Sequence, residues 1–210
     1  MGKVVGFDEL VEAARGLLAR PGRHVMAIAG APGSGKSTLV EELLLKLEGT
    51  DPGVVAILPM DGFHYDDAVL HARGRRPWKG APDTFDVGGY AAVLKRLRDP
   101  LEGAVAVPVF DRDLEISRGS ARIIEPDIRL ILTEGNYLLL DEVPWQALRP
   151  LFDVTVMIDV PEAELRRRLR ERWVHFGLSE ESIDFKLDEN DLPNGRTVVT
   201  RSAAADFVKR

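Results

Sequence analysis

Eight consecutive residues, Gly30-Ala31-Pro32-Gly33-Ser34-Gly35-Lys36-Ser37, hold the most legible chemistry in this chain. They fit the spacing G-x-x-x-x-G-K-[ST], a glycine-rich turn that opens onto a helix and pools backbone N–H groups around phosphate oxygens. Gly30, Ala31, Pro32, Gly33, Ser34 and Gly35 would shape the cradle, and Lys36 would reach the β- and γ-phosphates. Ser37 and Thr38 complete the nucleotide-binding set, the Ser37 hydroxyl being suited to Mg²⁺. The expected ligand is a nucleoside triphosphate.

Moving a phosphoryl group to a hydroxyl also needs a residue that orients or accepts the hydroxyl proton, and others that hold the metal. Asp61 follows the apolar run 54–58, and Glu134 falls near the end of the run 130–135, so both sit at strand C-termini. Asp61 suits the first task, and Glu134 suits Mg²⁺, directly or through water. Each also fits a plainer role as a helix cap or solvated turn residue. Arg168 and Arg172 stand four apart in the segment 162–176, hence on one helix face, where guanidinium groups would close over a transferring phosphoryl group. Charge runs on helices are commonly just solvated, and Arg166, Arg167 and Arg170 read that way, with Glu162, Glu164 and Glu171 at hand as partners.

These residues require a scaffold of buried strands alternating with helices. Short apolar runs at 25–29, 54–58, 105–110, 130–135 and 154–160 read as strands, with Pro108 placing the third at an edge or strand end, and 197–200 as a last short strand. Helical spacing covers 7–20, the segment after the glycine-rich turn to about residue 47, a helix capped by Asp86, the segment 162–176, and one capped by Ser179. Residues 66–85 read as loop. The pattern predicts an α/β P-loop NTPase fold, a five-stranded parallel sheet flanked by helices, with ligands at the carboxyl ends of the strands.

Composition narrows the function classes. With 210 residues, 45% hydrophobic and 30% charged, the chain is expected to form one globular α/β domain. It has no cysteine, which excludes disulfides, thiolate metal sites and cysteine nucleophiles. A formal net charge of −6 argues against nucleic acid as a partner. The first residues lack the apolar core of a signal peptide and no run is long enough to cross a bilayer, so a cytoplasmic chain without membrane contact is expected.

Taken in order, the P-loop, Asp61-Gly62-Phe63, Thr84-Phe85-Asp86, Pro108-Val109-Phe110-Asp111, Glu134-Gly135 and the arginine-rich helix resemble the phosphoribulokinase/uridine kinase family of P-loop small-molecule kinases, which also holds the bacterial pantothenate kinases. The likeness runs from about residue 23 to about residue 200. Within it, Met60-Asp61-Gly62-Phe63-His64 and Asn190-Asp191-Leu192-Pro193-Asn194 look most like bacterial proteins carried as fructose transport system kinases or nucleoside/nucleotide kinase family proteins.

The resemblance implies an adenylate-kinase-like fold with a helical lid, ATP and Mg²⁺ as cofactors, and phosphorylation of a small-molecule hydroxyl. By it Asp61 is the catalytic base, Ser37 and Glu134 serve Mg²⁺, Lys36, Arg168 and Arg172 act on the phosphoryl group, and Asn194 lies in a C-terminal loop near the adenine. Asp111 matches the uridine kinase carboxylate that takes sugar hydroxyls, with Arg112 beside it and His64 and Tyr65 lining the same pocket. Where pantothenate kinases carry Tyr-Ser-His, this chain has Phe110-Asp111-Arg112, which speaks against pantothenate. The basic residues Arg73, Arg75, Arg76 and Lys79 could meet an anionic substrate or simply be solvated, and read more readily as solvated.

The expectation is a single P-loop kinase domain over residues 1–210, passing the γ-phosphate of ATP to a hydroxyl of a sugar, nucleoside or similar metabolite. The resemblance allows a homodimer. The alternative is a regulatory P-loop NTPase that binds and slowly hydrolyses nucleotide to control a protein partner. The guanine-reading Asn-Lys-x-Asp and the Leu-Ser-Gly-Gly-Gln-like signature of ABC-type ATPases are both missing from the sequence.

Overall fold

The computed structural model describes residues 2–99 and 101–210. Its centre is a six-stranded, all-parallel sheet built from β1 (Lys3–Val5), β2 (His24–Gly30), β3 (Val55–Pro59), β6 (Leu130–Gly135), β7 (Val154–Ile158) and β8 (Phe207–Lys209), in the order β1-β8-β7-β2-β6-β3. β2 lies in the middle, hydrogen bonded to β6 on one side and β7 on the other, and every residue of it is buried. Its side chains alternate between two cores. Val25, Ala27 and Ala29 join Tyr90, Leu94, Tyr137 and Trp145 on one face, while Met26 and Ile28 join Leu10, Leu39, Leu43 and Leu47 on the other. Both faces being covered, the strand reads as an unbroken apolar run, as parallel strands do.

Helices α1 (Phe7–Leu18) and α2 (Lys36–Glu48) cover the second face. α4 (Val87–Arg98), capped by Asp86 Oδ1 accepting from Gly89 N at 2.8 Å, and the 3₁₀ segment Trp145–Leu151 cover the first. α5 (Glu162–His175), α6 (Glu180–Phe185) and α7 (Leu192–Arg201) form a third cluster through Leu165, Leu169, Ile183, Leu187 and Leu192, which closes on Ala31 of the glycine-rich turn. Ser179 caps α6 through Ser182 N, as its type predicts.

The parallel sheet flanked by helices is the expected one, but its membership differs. Residues 105–110 do not enter it: they form β4 (Val105–Asp111), paired antiparallel with β5 (Ile116–Ile124) in a separate hairpin, and the register slips around Pro108. Pro108 lacks a donor, so a bulge accommodates it. β5 escapes sequence reading because most of it is exposed and polar, with no apolar alternation. Residues 197–200 are not a strand; they belong to α7, whose buried Leu192, Gly195 and Val198 recur at helical spacing and override the β-branched composition. Residues 66–85 are more regular than a loop, holding α3 (Asp67–Ala72) and two 3₁₀ turns, Arg76–Trp78 and Pro82–Thr84. Between α6 and α7 the chain stays helical through one wide π turn, Lys186–Asp191, so Asn190 to Asn194 is helix rather than loop.

Candidate active site

The glycine-rich turn follows the C-terminal end of β2. Gly35, with φ +91, is the N-cap of α2, and no side chain caps that helix. The left-handed conformation is open to glycine at little cost, and the uncapped amides of the first turn are left for an outside acceptor. A cavity of about 130 Å³ lies over them, lined by Pro32, Gly33, Gly35, Lys36, Ser37, Thr38, Asp61, Arg112, Glu134, Asn136 and Arg172. Lys36 is buried, and its Nζ donates to the Ala31 carbonyl at 3.0 Å. Burial pushes its ammonium down to about 8, against Glu134 and Asp61, whose charges favour protonation. An anion in this cavity would supply what the lysine lacks.

The two carboxylates stand where strand ends deliver them. Glu134 is the fifth residue of β6, and the Ser37 hydroxyl donates to its Oε1 at 3.3 Å. Burial, then the neighbouring Asp61 charge, pushes the Glu134 carboxyl up to about 7. Asp61 belongs to the 3₁₀ turn Met60–Phe63 that follows β3, and its Oδ2 accepts from Arg112 Nη2 at 2.8 Å. Burial opposes its charge, but His64, Arg112 and Lys36 together hold it below the usual carboxylate range. The turn fits against the hairpin only because residue 62 is glycine: a Cβ there would stand 2.6 Å from the Pro108 carbonyl.

A metal fits this donor set in one way. Among the described residues no three His, Cys, Asp or Glu side chains cluster as a metal cage. A buried carboxylate with an adjoining hydroxyl next to a phosphate cradle is the sparse protein contribution that suits Mg²⁺, which keeps waters and takes phosphate oxygens.

A second cavity, of about 110 Å³, adjoins the first and shares Pro32, Asp61, Arg112, Asn136 and Arg172 with it. His64 lines it, with ring centroids 4.0 Å from Phe85 and 4.7 Å from Phe110. His64 Nδ1 is 2.7 Å from the Asp61 carbonyl, so Nδ1 carries the proton and Nε2 is left as an acceptor. Burial lowers the His64 pKa and favours this neutral form.

Other sequence candidates fall elsewhere. Tyr65 lies under the Arg73 guanidinium, 4.6 Å from the ring centroid, and does not line the cavity. Asp111 also lies outside the lining; it pairs with Arg118 at 3.6 Å and accepts from Leu114 N, turning the tight corner of the hairpin. Asn194 lines this second cavity from α7 and donates to Asn190 Oδ1 at 2.9 Å, away from any C-terminal loop.

The sequence reading missed Asn136, Lys79, Trp173, Lys186, Asn190 and Asp191 as cavity residues. Asn136 was signalled by its place just after Glu134-Gly135 at a strand end. Lys79, read within a basic run as solvated, is instead buried, with Nζ 2.6 Å from both Asp67 Oδ1 and the Glu115 carbonyl, while Arg75 and Arg76 pair with Asp83, Asp67 and Glu115.

Of the two arginines expected over the phosphoryl group, Arg172 lines the cavities and Arg168 lines neither, being paired with Glu164 as the other arginines of α5 are paired with acids. Arg166 pairs with Asp188, Arg167 with Glu164 and Glu171, and Arg170 with Glu180 and Asp184. Arg168 is steered by Glu164 at 2.7 Å and reaches the Ser34 carbonyl at 3.4 Å. Arg172 lines both cavities and has no ion pair among the described residues.

A parallel α/β sheet with an uncapped glycine-rich turn, an adjoining lysine and carboxylates at neighbouring strand ends defines a P-loop nucleotide-binding protein. No family model matches the chain. It is 36% identical over 189 residues to the "Uncharacterized protein YggC" of Escherichia coli (strain K12), spanning 89% of this chain and 77% of that one. It is 33% identical over 214 residues to a "Putative uridine kinase" of Schizosaccharomyces pombe, spanning 98% and 90%. A solved "putative fructose transport system kinase" from Silicibacter sp. TM1040 superposes with TM-score 0.89 at 37% identity, over 97% of this chain and 98% of that one. The chain belongs to the phosphoribulokinase/uridine kinase family of P-loop kinases.

Proposed function

We propose that the chain is an ATP- and Mg²⁺-dependent kinase that transfers the γ-phosphate to a hydroxyl of a sugar, nucleoside or similar metabolite, with Asp61 as general base. The observation that carries this reading is the shared wall: Asp61, Arg112, Asn136 and Arg172 border both the phosphate cavity and its neighbour. A donor phosphate in one and an acceptor in the other would meet at Asp61. The names of the relatives, uridine kinase and fructose transport system kinase among them, support a hydroxyl-bearing metabolite.

In this reading residues 1–210 act as one kinase domain. The backbone from Gly30 to Gly35 and Thr38 hold the triphosphate, and Lys36 and Arg172 neutralise the charge that spreads over the moving phosphoryl group. Arg168, tethered by Glu164, closes the cradle from α5. Ser37 and Glu134 would hold Mg²⁺, which when bound neutralises charge on the phosphate oxygens. Asp61 stays ionised at neutral pH and accepts the hydroxyl proton. For this the Arg112 guanidinium leaves Asp61 Oδ2 and turns to the phosphoryl oxygens, a short move for an exposed side chain at the hairpin corner. His64 offers Nε2 as acceptor for a further hydroxyl. The absence of cysteine agrees with a cytoplasmic setting, and no helix among the described residues is long and apolar enough to cross a membrane.

The test is ATP consumption and product mass across nucleosides, hexoses, pentoses, glycerate and pantothenate, with Asp61→Asn beside the parent chain. One phosphorylated acceptor, and a rate about 10²–10⁴-fold lower in the variant, is the expected result. Tight ATP binding with no acceptor-stimulated turnover would overturn it in favour of a regulatory NTPase.

A further inference from the structure

The cavity that adjoins the phosphate cradle contains a second inward carboxylate, Asp191, which the reaction as derived above leaves unused. It is 8% exposed, and Trp173 Nε1 donates to its Oδ2 at 2.7 Å. No Lys, Arg or His among the described residues lies within ion-pair distance of it, and Oδ1 receives no hydrogen bond from them. Burial raises its carboxyl above the ordinary range, with Trp173, Lys186 and Arg172 pulling it part of the way back. Its free oxygen opens onto the cavity, where only water or a ligand donor can answer it.

The backbone has been arranged to bring it in. Lys186, Asn190, Asp191 and Asn194 all line the cavity, and the first three belong to the π turn. At about 100° per residue, an α-helix would carry Asp191 about 140° around from Lys186. With i→i+5 hydrogen bonds and about 4.4 residues per turn, Asn190 and Asp191 fall to either side of Lys186, each within about 50° of it. The wide turn therefore turns Asp191 into the cavity. Trp173, reaching across from α5 beneath the Lys186 ammonium at 4.4 Å from its ring centroid, fixes the carboxylate plane.

The surroundings select the donor. Lys79, Arg112, Arg172 and Lys186 border the same cavity and disfavour a cationic ligand. The packed, mutually tilted rings of His64, Phe85 and Phe110 give it an aromatic side, suited to the C–H face of a compact neutral molecule. Asn190 is engaged already, donating to the Lys79 carbonyl at 3.1 Å and accepting from Asn194, which leaves Asn194 Oδ1 as a further acceptor.

We propose that Asp191 accepts a hydrogen bond from a hydroxyl of the acceptor other than the one that is phosphorylated, so that the acceptor is a polyol of the sugar kind carrying at least two hydroxyl groups. This rests on the kinase reading for the reaction, but not for the binding.

Binding is therefore what is measured. D-ribose, D-fructose, D-glucose, uridine and glycerol are titrated calorimetrically into the full chain saturated with Mg²⁺ and a non-hydrolysable ATP analogue, and then the monodeoxy analogues of each ligand that binds. Asp191→Asn keeps an oxygen for Trp173 and replaces the charged, cavity-facing acceptor with a neutral amide donor. We expect at least one polyol to bind, about 10- to 100-fold more weakly to Asp191→Asn, as for loss of a charged hydrogen-bond partner. One deoxy analogue should lose a similar factor on the parent chain and little more on the variant. The deoxy series on the parent chain needs no variant to fold. The assignment is overturned if no polyol of the panel binds, if Asp191→Asn binds the same polyol as tightly, or if the deoxy penalties are equal in both proteins. A polyol that binds through Asp191 yet is never phosphorylated would sink the kinase reading and leave this assignment standing.

Discussion

The two ends of the parallel sheet treat charge in opposite ways. At the end where the strands begin, the half-buried charges of Arg23 and Asp153 are answered. Arg23, just before β2, donates to the carbonyls of Leu97, Glu125, Pro126 and Ile128. Asp153, just before β7, accepts from Val25 N at 2.8 Å and Arg98 Nη1 at 2.5 Å and lies 3.4 Å from His24. At the end where the strands finish, Asp61 is paired with Arg112 and Lys79 with Asp67, but other charges are left short. Lys36 has only a carbonyl, Glu134 only a hydroxyl at 3.3 Å, Asp191 only an indole N–H, and Arg172 no carboxylate among the described residues. The first arrangement holds the fold together. The second carries a standing electrostatic cost that ligands would relieve, the pattern expected of an active site.

That contrast predicts which changes harm turnover and which harm stability. The largest effect belongs to Lys36→Met, expected to lower kcat/KM by roughly 10³-fold or more through loss of phosphoryl charge stabilisation. Its unfolding midpoint should be no lower than the parent's, and steady-state kinetics paired with urea denaturation would check both. Arg23→Ala should do the reverse, costing about 2–4 kcal/mol in the same denaturation assay by orphaning several carbonyls while kcat stays near the parent value. Arg23→Lys should recover little, since an ammonium cannot span the fork.

Asp153→Asn should cost about 1–3 kcal/mol at pH 7. Its partners depress the Asp153 pKa in the fold, burial notwithstanding. The stabilisation is therefore fully present above the unfolded pKa and lost as pH falls through the lower folded value. The gap between parent and Asp153→Asn should narrow below about pH 4, and equal gaps at pH 7 and pH 3 would refute the pairing. The smallest effect is Glu134→Gln: without nucleotide or divalent cation it should stabilise the chain by about 1 kcal/mol while removing turnover. A loss of stability there would erase the contrast between the two ends.

The phosphate cradle was readable because it is local. Spacing, glycines and the flanking strand and helix all lie within about two dozen residues, and the backbone supplies the binding groups. Asp61 and Glu134 were readable because parallel strands deliver their C-terminal residues to one edge. The second cavity, proposed to take the acceptor, was less so. Its lining comes from the P-loop, the turn after β3, the residues flanking the 3₁₀ turns before α4, the hairpin corner, the end of β6, α5, the π turn and α7. Asp111 and Arg112 are neighbours in sequence, yet hairpin geometry sends one to Arg118 and the other to Asp61. Asp191 depended on a helical register that no residue pattern announces. Tyr65 stood beside a true cavity residue, but the end of the 3₁₀ turn directs it elsewhere.

The β4–β5 hairpin touches the two tasks unequally. Its root is fixed: Val105, Val107 and Ile124 lie in the core and Arg122 reaches the Ile57 carbonyl at 2.8 Å, while beside the corner Ser117 Oγ donates to the Gly62 carbonyl. Its corner brings Phe110, Arg112 and Glu115 to the acceptor cavity. Only Arg112 of these also borders the phosphate cradle. The corner is thus an exchangeable part. Under the proposed kinase reading, grafting it between relatives with Arg112 kept is expected to retune the choice of metabolite more than the grip on nucleotide, so that one half of the reaction could be edited without rebuilding the other.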